Sequence, residues 1–402
     1  MLKNKILIFI PIIILISILS IREYNHLKVK KAPKIVILKT KVVEVYKEVR
    51  LKDLIASING KLIDNKKIDT TSIGEQEIAF SYITNTGVKV PYKIKIKVVD
   101  STPPLISQID NYTLDVNSKV NLVEKFFCGD NYDKKPICKI EGNYDLTKPG
   151  TYPIKLIGID SSKNQATKAI NLIVKEKEKI KNNYSTNVKE TKFEDIIKTH
   201  KTNATQIGID VSKWQGNINF KQLKENGVEF AYIRIGRGDG IGKKPILDEK
   251  FKRNIQGFTK EKIPVGVYFY SSANNKQAAI KEAKWILKQL EKYKISLEIV
   301  FDWENWNSFH VYNQSFYSLT ETYKAFQKTI EEAGYTSMLY SSKNHLETIW
   351  YPVKSKVWLA HYTNKTDYKG KYNVWQLCNN GRVGGIESQV DINVKYTNVK
   401  VS

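Results

Sequence analysis

In the stretch FDWEN, Asp302 and Glu304 stand two residues apart at the end of an apolar run, Ile295 to Phe301, that reads as a buried strand. Side chains at i and i+2 of a strand share a face, roughly 6 to 7 Å apart along it, so both carboxyls would enter one cavity. Two carboxyls in a shared, partly dehydrated site cannot both ionise easily, and the one that keeps a raised pKa can serve as an acid. Cleavage of a glycosidic bond has that requirement: one carboxyl protonates the leaving oxygen while an anion supports the oxocarbenium-like centre. A lone Asp-x-Glu pair also occurs as solvated loop charges or as metal ligands, so its neighbours decide.

Those neighbours belong to a C-terminal half in which apolar, strand-like runs alternate with amphipathic stretches: IGIDVS, FKQLKENG, FAYIRIG, FKRNIQGFTKEK, PVGVYFYS and QAAIKEAKWILKQLEKY. The series continues through LEIVFDWEN, a helix near Leu319 to Ala333, SMLYSS, KVWLAHY and YNVWQL. Alternating strands and helices predict a parallel α/β architecture closed into a compact, TIM-like barrel. Catalytic groups of such barrels sit at the C-terminal ends of strands, which here carry Asp210, Arg234, Tyr268, Tyr270, Asp302, Glu304, Trp358, Tyr362, Gln376 and Asp391. Asp210 and Asp391 lie near opposite ends of the half, and closure brings first and last strands together, so four carboxylates can ring one pocket. Trp214, Tyr232, Tyr268, Tyr270, Trp358, Tyr362 and Trp375 offer flat faces for sugar rings, or else ordinary barrel packing.

The motifs IGIDVSKWQG, AYIRIGRGDG, GVYFYS, FDWEN, VWLAHY, VWQL and VDIN, in this order over residues 207–396, resemble glycoside hydrolase family 25, the Chalaropsis-type lysozymes. The resemblance implies an irregular β/α barrel with fewer helices than strands. It also implies an N-acetylmuramidase that cuts the β-1,4 bond from N-acetylmuramic acid to N-acetylglucosamine in peptidoglycan. Glu304 would be the general acid, with Asp302, Asp210 and Asp391 completing the acidic site. Tyr232, Arg234, Tyr268, Tyr270, Trp358, Tyr362 and Gln376 are the candidate substrate contacts. The family often has a histidine where GVYFYS reads Phe269, which puts any polar contact there in question. The competing reading is a non-catalytic wall-binding protein or adhesin on a degenerate barrel, against which the intact carboxylate set argues.

The half before the barrel repeats itself. Asp69, Thr71, Gly74, Ile78 and Val98 return at Asp145, Thr147, Gly150, Ile154 and Val174, and each copy ends in the apolar alternation of half-buried strands. Asp-x-Thr-x-x-Gly marks a tight turn feeding a strand, and DSTPPL joins the copies. The pattern resembles the bacterial Ig-like repeats of surface proteins, which implies two all-β sandwiches, at 35–99 and 100–175, acting as spacers or weak wall-binding modules. Residues 22–34 and 176–206 read as linkers, with a short helix possible around Lys192 to Lys198. Cys128 and Cys138 flank a turn, which leaves a disulfide open, and Cys378 then stands alone as a buried small side chain.

The 402-residue chain carries 65 Lys and Arg against 41 Asp and Glu, a net charge of +24 spread over both halves. That suits a generally basic surface or an anionic wall polymer, and offers no dedicated nucleic-acid arm. At the N-terminus, MLKNK precedes sixteen uncharged residues from Ile6 to Ile21, an export signal or membrane anchor. With no small-x-small cleavage site after it, the run within 1–21 reads as an uncleaved anchor holding the chain at the cell surface, or leaving it secreted if cut. GRGDG lacks a following Gly-Lys-Ser/Thr, so nucleotide binding is excluded. The five histidines, at 26, 200, 310, 345 and 361, show no metal-ligand spacing, and neither metal nor cofactor is expected of this monomer.

Overall fold

The computed structural model describes residues 17–23, 36–177 and 190–397. Most of the Ile6 to Ile21 run lies outside these residues; 17–23 are helical, and no described helix is long and apolar enough to cross a membrane. The chain divides after Ser101 into two compact units.

The first unit holds β1 (Val36–Leu38), β2 (Val42–Glu44), α1 (Leu51–Leu54), β3 (Ile55–Ile58), β4 (Lys61–Leu62), β5 (Gly74–Ile83) and β6 (Lys89–Val99). β1 pairs with β3, and a second sheet runs β2-β6-β5-β4 with β2 parallel to β6. Ile78, Ile94, Ile96 and Val98 point to one face, the lysines between them to the other.

The second unit opens with the repeat's other copy: β7 (Leu105–Ile106), β8 (Asn111–Asp115), β9 (Cys128–Gly129), β10 (Ile137–Glu141), β11 (Gly150–Ile159) and β12 (Gln165–Lys175). Its sheet runs β10-β11-β12-β8, again with one parallel pair, β12 with β8. The copies agree in detail. Gly74 opposes Val98 as Gly150 opposes Val174, and Ile78 opposes Ile94 as Ile154 opposes Ile170. The turn aspartates match as well: Asp69 Oδ1 accepts from the amide and hydroxyl of Thr71 at 2.9 and 2.6 Å, and Asp145 Oδ1 does the same with Thr147 at 2.9 and 2.6 Å. These hydrogen bonds hold both carboxyls below their ordinary pKa. What the structure gives for each copy is thus a mixed sheet with a short second ladder, not the purely antiparallel pairing of an Ig sandwich. Cys128 and Cys138 are joined, tying β9 to β10.

Within the segment 176–206, β13 (Thr191–Lys192) and α2 (Phe193–His200) lie against the C-terminal fold. β13 pairs with its penultimate strand, Glu190 meets Arg382 at 2.7 Å, and Phe193 and Ile196 are buried in its core. That core surrounds β14 (Thr205–Val211), α3 (Phe220–Glu225), β15 (Phe230–Arg237), β16 (Ile246–Leu247), α4 (Phe251–Lys260), β17 (Val265–Tyr270), α5 (Lys276–Leu290) and β18 (Ile299–Asp302). A 3-10 turn (Trp306–Tyr312), α6 (Phe316–Glu332), β19 (Ser337–Ser342), α7 (Lys343–Thr348), β20 (Lys356–Ala360), β21 (Val374–Arg382) and β22 (Val390–Tyr396) complete it.

Strand pairing closes on itself. The order β14-β15-β17-β18-β19-β20-β21 is parallel throughout, and antiparallel β22 bridges β21 back to β14. Alternation sorts the side chains: Ile299 and Phe301 face the helices, while Val300 and Asp302 face inward. Phe230, Tyr232, Val300, Met338, Trp358 and Val374 fill the interior. Gly266 is needed where Tyr232 crosses the barrel, since a Cβ there would come within 2.4 Å of the ring. The result is a sheet-rich, irregular α/β barrel.

The β module of this second unit packs on the segment that follows FDWEN. Phe127 lies 5.5 Å from Phe309 and 6.2 Å from Phe316 between ring centroids. The carbonyls of Asp130 and Asn131 accept the amides of Phe316 and Tyr317 at 2.9 and 3.4 Å. First-turn amides of a helix have no partner within it, so the module completes the N-terminal cap of α6, whose third amide goes to Ser315 Oγ.

Candidate active site

The site is built at the open end of the barrel. Asp210 of β14 and Asp391 of β22 are direct cross-strand partners, and their carboxyls hydrogen-bond to each other. Asn393, two residues past Asp391 on the same face, donates to Asp210 Oδ2 at 2.8 Å, and Gln376 Nε2 of β21 donates to the same oxygen at 3.0 Å. Each amide is held in turn. Asn393 Oδ1 accepts from Trp358 Nε1 at 2.8 Å, and Gln376 Oε1 accepts from the hydroxyls of Tyr340 at 2.8 Å and Tyr362 at 3.1 Å.

Across the cavity, Asp302 ends β18 in register with Tyr270 of β17 and Tyr340 of β19. Its carboxyl hydrogen-bonds to Glu304, and its Oδ1 is buried with no protein partner. Glu304 is exposed at the cavity mouth within reach of Tyr340. Arg234 is clamped by Asp248, whose Oδ2 accepts from Nε at 2.8 Å and lies 2.7 Å from a terminal guanidinium nitrogen.

Low dielectric and like charge govern this site. Burial pushes Asp210 up to about 6, with Asn393 and Gln376 pulling it back. Burial, then the neighbouring Asp210, pushes Asp391 up to about 9. Asp302 is driven well above the carboxylate range by burial and by Glu304. The protein packed around Glu304 raises its pKa too, although the side chain keeps open surface, while hydrogen bonds from Asp302 and Tyr340 oppose the rise. Four neighbouring carboxyls resist ionising together, and the hydrogen bond between Asp302 and Glu304 raises the pKa of Asp302 while lowering that of Glu304.

The structure gathers Asp210, Asp302, Glu304, Asp391, Arg234, Tyr268, Tyr270, Tyr362 and Gln376 into one group at the strand ends. Tyr268 has its pKa raised by burial and then by Asp210, and Tyr270 is pushed up to about 12 by burial and then by Asp302. Tyr232 is not among them. It is fully buried one layer down, its hydroxyl donating to Glu298, which Lys356 neutralises at 2.5 Å. The reason is alternation: inward residues stack in layers, and Tyr232 sits two residues before the layer of Arg234. Trp358 is also buried, in the interior cluster, its ring 4.6 Å from Tyr232 and edge-on to Tyr340 at 5.1 Å. Trp375 and Phe269 face the helix layer, so Phe269 has no bearing on the cavity. Trp214 is 70% exposed, with Lys213 Nζ 5.0 Å over its ring.

Sequence reasoning missed Tyr340, Asn393, Asp248 and Glu282. Asn393 had a signal, the i, i+2 spacing from Asp391 within VDIN; Tyr340 ends the apolar run of SMLYSS, as Phe301 does just before Asp302. Asp248 and Glu282 lie outside any strand and gave none. Glu282 of α5 is buried behind the site and pushed up to about 7 by that burial, against hydrogen bonds from Ser271 and Ser272.

Residues 209–386 match the family model described as glycosyl hydrolases family 25. The match marks a family 25 glycosyl hydrolase domain over those residues. Asp210, Asp302 and Glu304 fall within the match, and Asp391 just beyond it. The chain is 28% identical over 207 residues to lysozyme M1 of Streptomyces globisporus, covering 46% of this chain and 66% of that protein. It is 24% identical over 188 residues to the autolytic lysozyme of Clostridium acetobutylicum, covering 46% and 54%. Among solved structures, the spore cortex lytic enzyme SleM of Clostridium perfringens aligns with a TM-score of 0.43 at 21% identity over 50% of this chain and 69% of that one. A family 25 glycosyl hydrolase of Bacillus anthracis aligns at 0.42 and 22% identity, over 50% and 92%. With its family 25 domain and its lysozyme relatives, the protein is a glycoside hydrolase.

Proposed function

We propose that the chain is a cell-surface N-acetylmuramidase that cuts the β-1,4 bond between N-acetylmuramic acid and N-acetylglucosamine in peptidoglycan, with Glu304 as general acid. The observation that carries this reading is an asymmetry inside one acidic cluster. Asp210 and Asp302 are 5% exposed, whereas Glu304, sharing a proton with Asp302, is open to the cavity mouth. Glu304, the most exposed of the four carboxyls, hands that proton to a leaving glycosidic oxygen. Asp302 Oδ1, left without a protein partner, awaits a substrate group, and the carboxyls behind it supply the negative field that an oxocarbenium-like centre requires. Tyr268, Tyr270, Tyr362 and Arg234 frame the sugar, and exposed Trp214 offers a stacking face at the rim.

In this reading Ile6 to Ile21 anchors the chain, the two β modules are spacers, and the net charge of +24 favours anionic wall polymers. The test is digestion of purified peptidoglycan by the full chain, followed by borohydride reduction and mass spectrometry of the new ends. Muramitol ends support the assignment. Glucosaminitol ends, or no new ends, reject it.

A further inference from the structure

Beneath the strand end that carries Asp302 lies a three-residue turn, Ser271 to Ala273, directly after β17, and the residues on either side of Glu304 hang from it. The Ser271 amide donates to the Asp302 carbonyl at 2.6 Å. Asn305 Nδ2 donates to the Ser271 carbonyl at 3.0 Å. Trp303 Nε1 and Gln314 Nε2 both donate to the Ala273 carbonyl, at 3.1 and 3.3 Å. Residues 302, 303 and 305 are thereby tied down, and Glu304 between them is left to face the cavity. The GRGDG loop rests on the same turn: Ser272 Oγ donates to the Gly240 carbonyl at 3.1 Å, and a Cβ at Gly238 would sit 1.9 Å from that Oγ.

The turn is held by one side chain. Glu282 of α5 accepts the Ser271 hydroxyl at 2.5 Å on one carboxyl oxygen and the Ser272 amide at 3.1 Å on the other. Ser271 Oγ in turn accepts the Ala273 amide at 3.1 Å, so the carboxyl orders all three residues. Glu282 is 6% exposed, and among the described residues no Lys or Arg forms a salt bridge with it. A buried carboxyl without a cation is costly, and an apolar residue at this position would stabilise the helix packing better. Its hydrogen bonds to Ser271 and Ser272 fit a role in geometry.

We propose that Glu282 is a positioning residue for the catalytic acid: through Ser271 and Ser272 it fixes the turn that aims Glu304 into the cavity. The inference rests on the reading of Glu304 as general acid. A residue that acts on aim alone changes the rate of bond cleavage and leaves substrate binding in place, because Arg234 and Tyr362 lie on other elements and Tyr268 and Tyr270 are held by the β17 ladder ahead of the turn.

The test is steady-state kinetics of the full chain on soluble peptidoglycan fragments, with wild type, Glu282→Ala, Glu282→Gln, Ser271→Ala and Glu304→Gln, each checked for folding by circular dichroism. Glu282→Ala is expected to lower kcat about 10- to 100-fold with KM within about twofold of wild type. Glu282→Gln, which keeps one acceptor, falls between the two. Should Glu282→Ala not fold, Ser271→Ala decides, since it removes only the hydroxyl that ties the turn to Glu282, and a loss confined to kcat is again expected. Wild-type kcat in the deciding variant, or a loss confined to KM, overturns the inference. An inactive Glu304→Gln alongside unaffected Glu282 and Ser271 variants sinks the positioning role alone, whereas a fully active Glu304→Gln sinks the assignment of the acid.

Discussion

At the scale of single residues, the site is a contest between burial, which neutralises carboxyls, and hydrogen bonds, which keep them charged. Tyr340 has one hydroxyl proton and two acceptors within reach, Gln376 and Glu304. Its hydrogen bond lowers the pKa of Glu304, so Tyr340→Phe is expected to move the alkaline limb of the kcat/KM profile to higher pH by several tenths of a unit. A shift to lower pH would contradict the arrangement. Asp391 gives the opposite kind of test, on stability. Its folded pKa of about 9 lies above the unfolded value of about 4, so its contribution is full below about pH 4 and is lost as pH rises towards 9. Asp391→Asn removes that loss while keeping a donor for Asp210, and should raise stability at neutral pH by roughly 1 kcal/mol while lowering activity. Thermal unfolding of both forms between pH 4 and pH 9 checks this: the variant's curve should be the flatter. The four carboxyls were legible in the sequence because strand ends and i, i+2 spacing carry their own geometric signal. Tyr232 was misplaced because an apolar strand does not reveal which inward layer a residue occupies.

At the scale of elements, the structure ties the barrel to what precedes it. The Asp-x-Thr-x-x-Gly repeat was readable as a turn feeding a strand, and both copies form it with matching hydrogen bonds. The parallel pairs that make each sheet mixed were not readable, because β2 and β8 are short and pairing partners far apart in sequence leave no periodic trace. Nor was the role of Phe127, a half-buried residue that supports Phe309 and Phe316 beside the acid. Phe127→Ala should destabilise the second unit by about 1 to 3 kcal/mol, seen as a lower unfolding midpoint in denaturant. An unchanged midpoint would make that contact passive.

At the scale of the whole molecule, the barrel was recognisable from its alternating rhythm and from seven motifs in order, and its closure by an antiparallel last strand put Asp391 beside Asp210 as closure requires. The basic surface should act over longer range. Retention of the full chain on isolated walls is expected to fall steeply as ionic strength rises past about 0.15 M, where the screening length drops to about 8 Å, and to weaken on walls stripped of anionic polymers. Salt-independent retention would remove charge from the account. The central claim is that Glu304 delivers the proton from an acidic cluster whose Asp210 and Asp302 are buried, and one comparison tests it directly: release of new reducing ends from peptidoglycan by the full chain and by its folded Glu304→Gln variant. A fall of about 10²- to 10⁴-fold in the variant is the predicted result, and activity equal to wild type would contradict it.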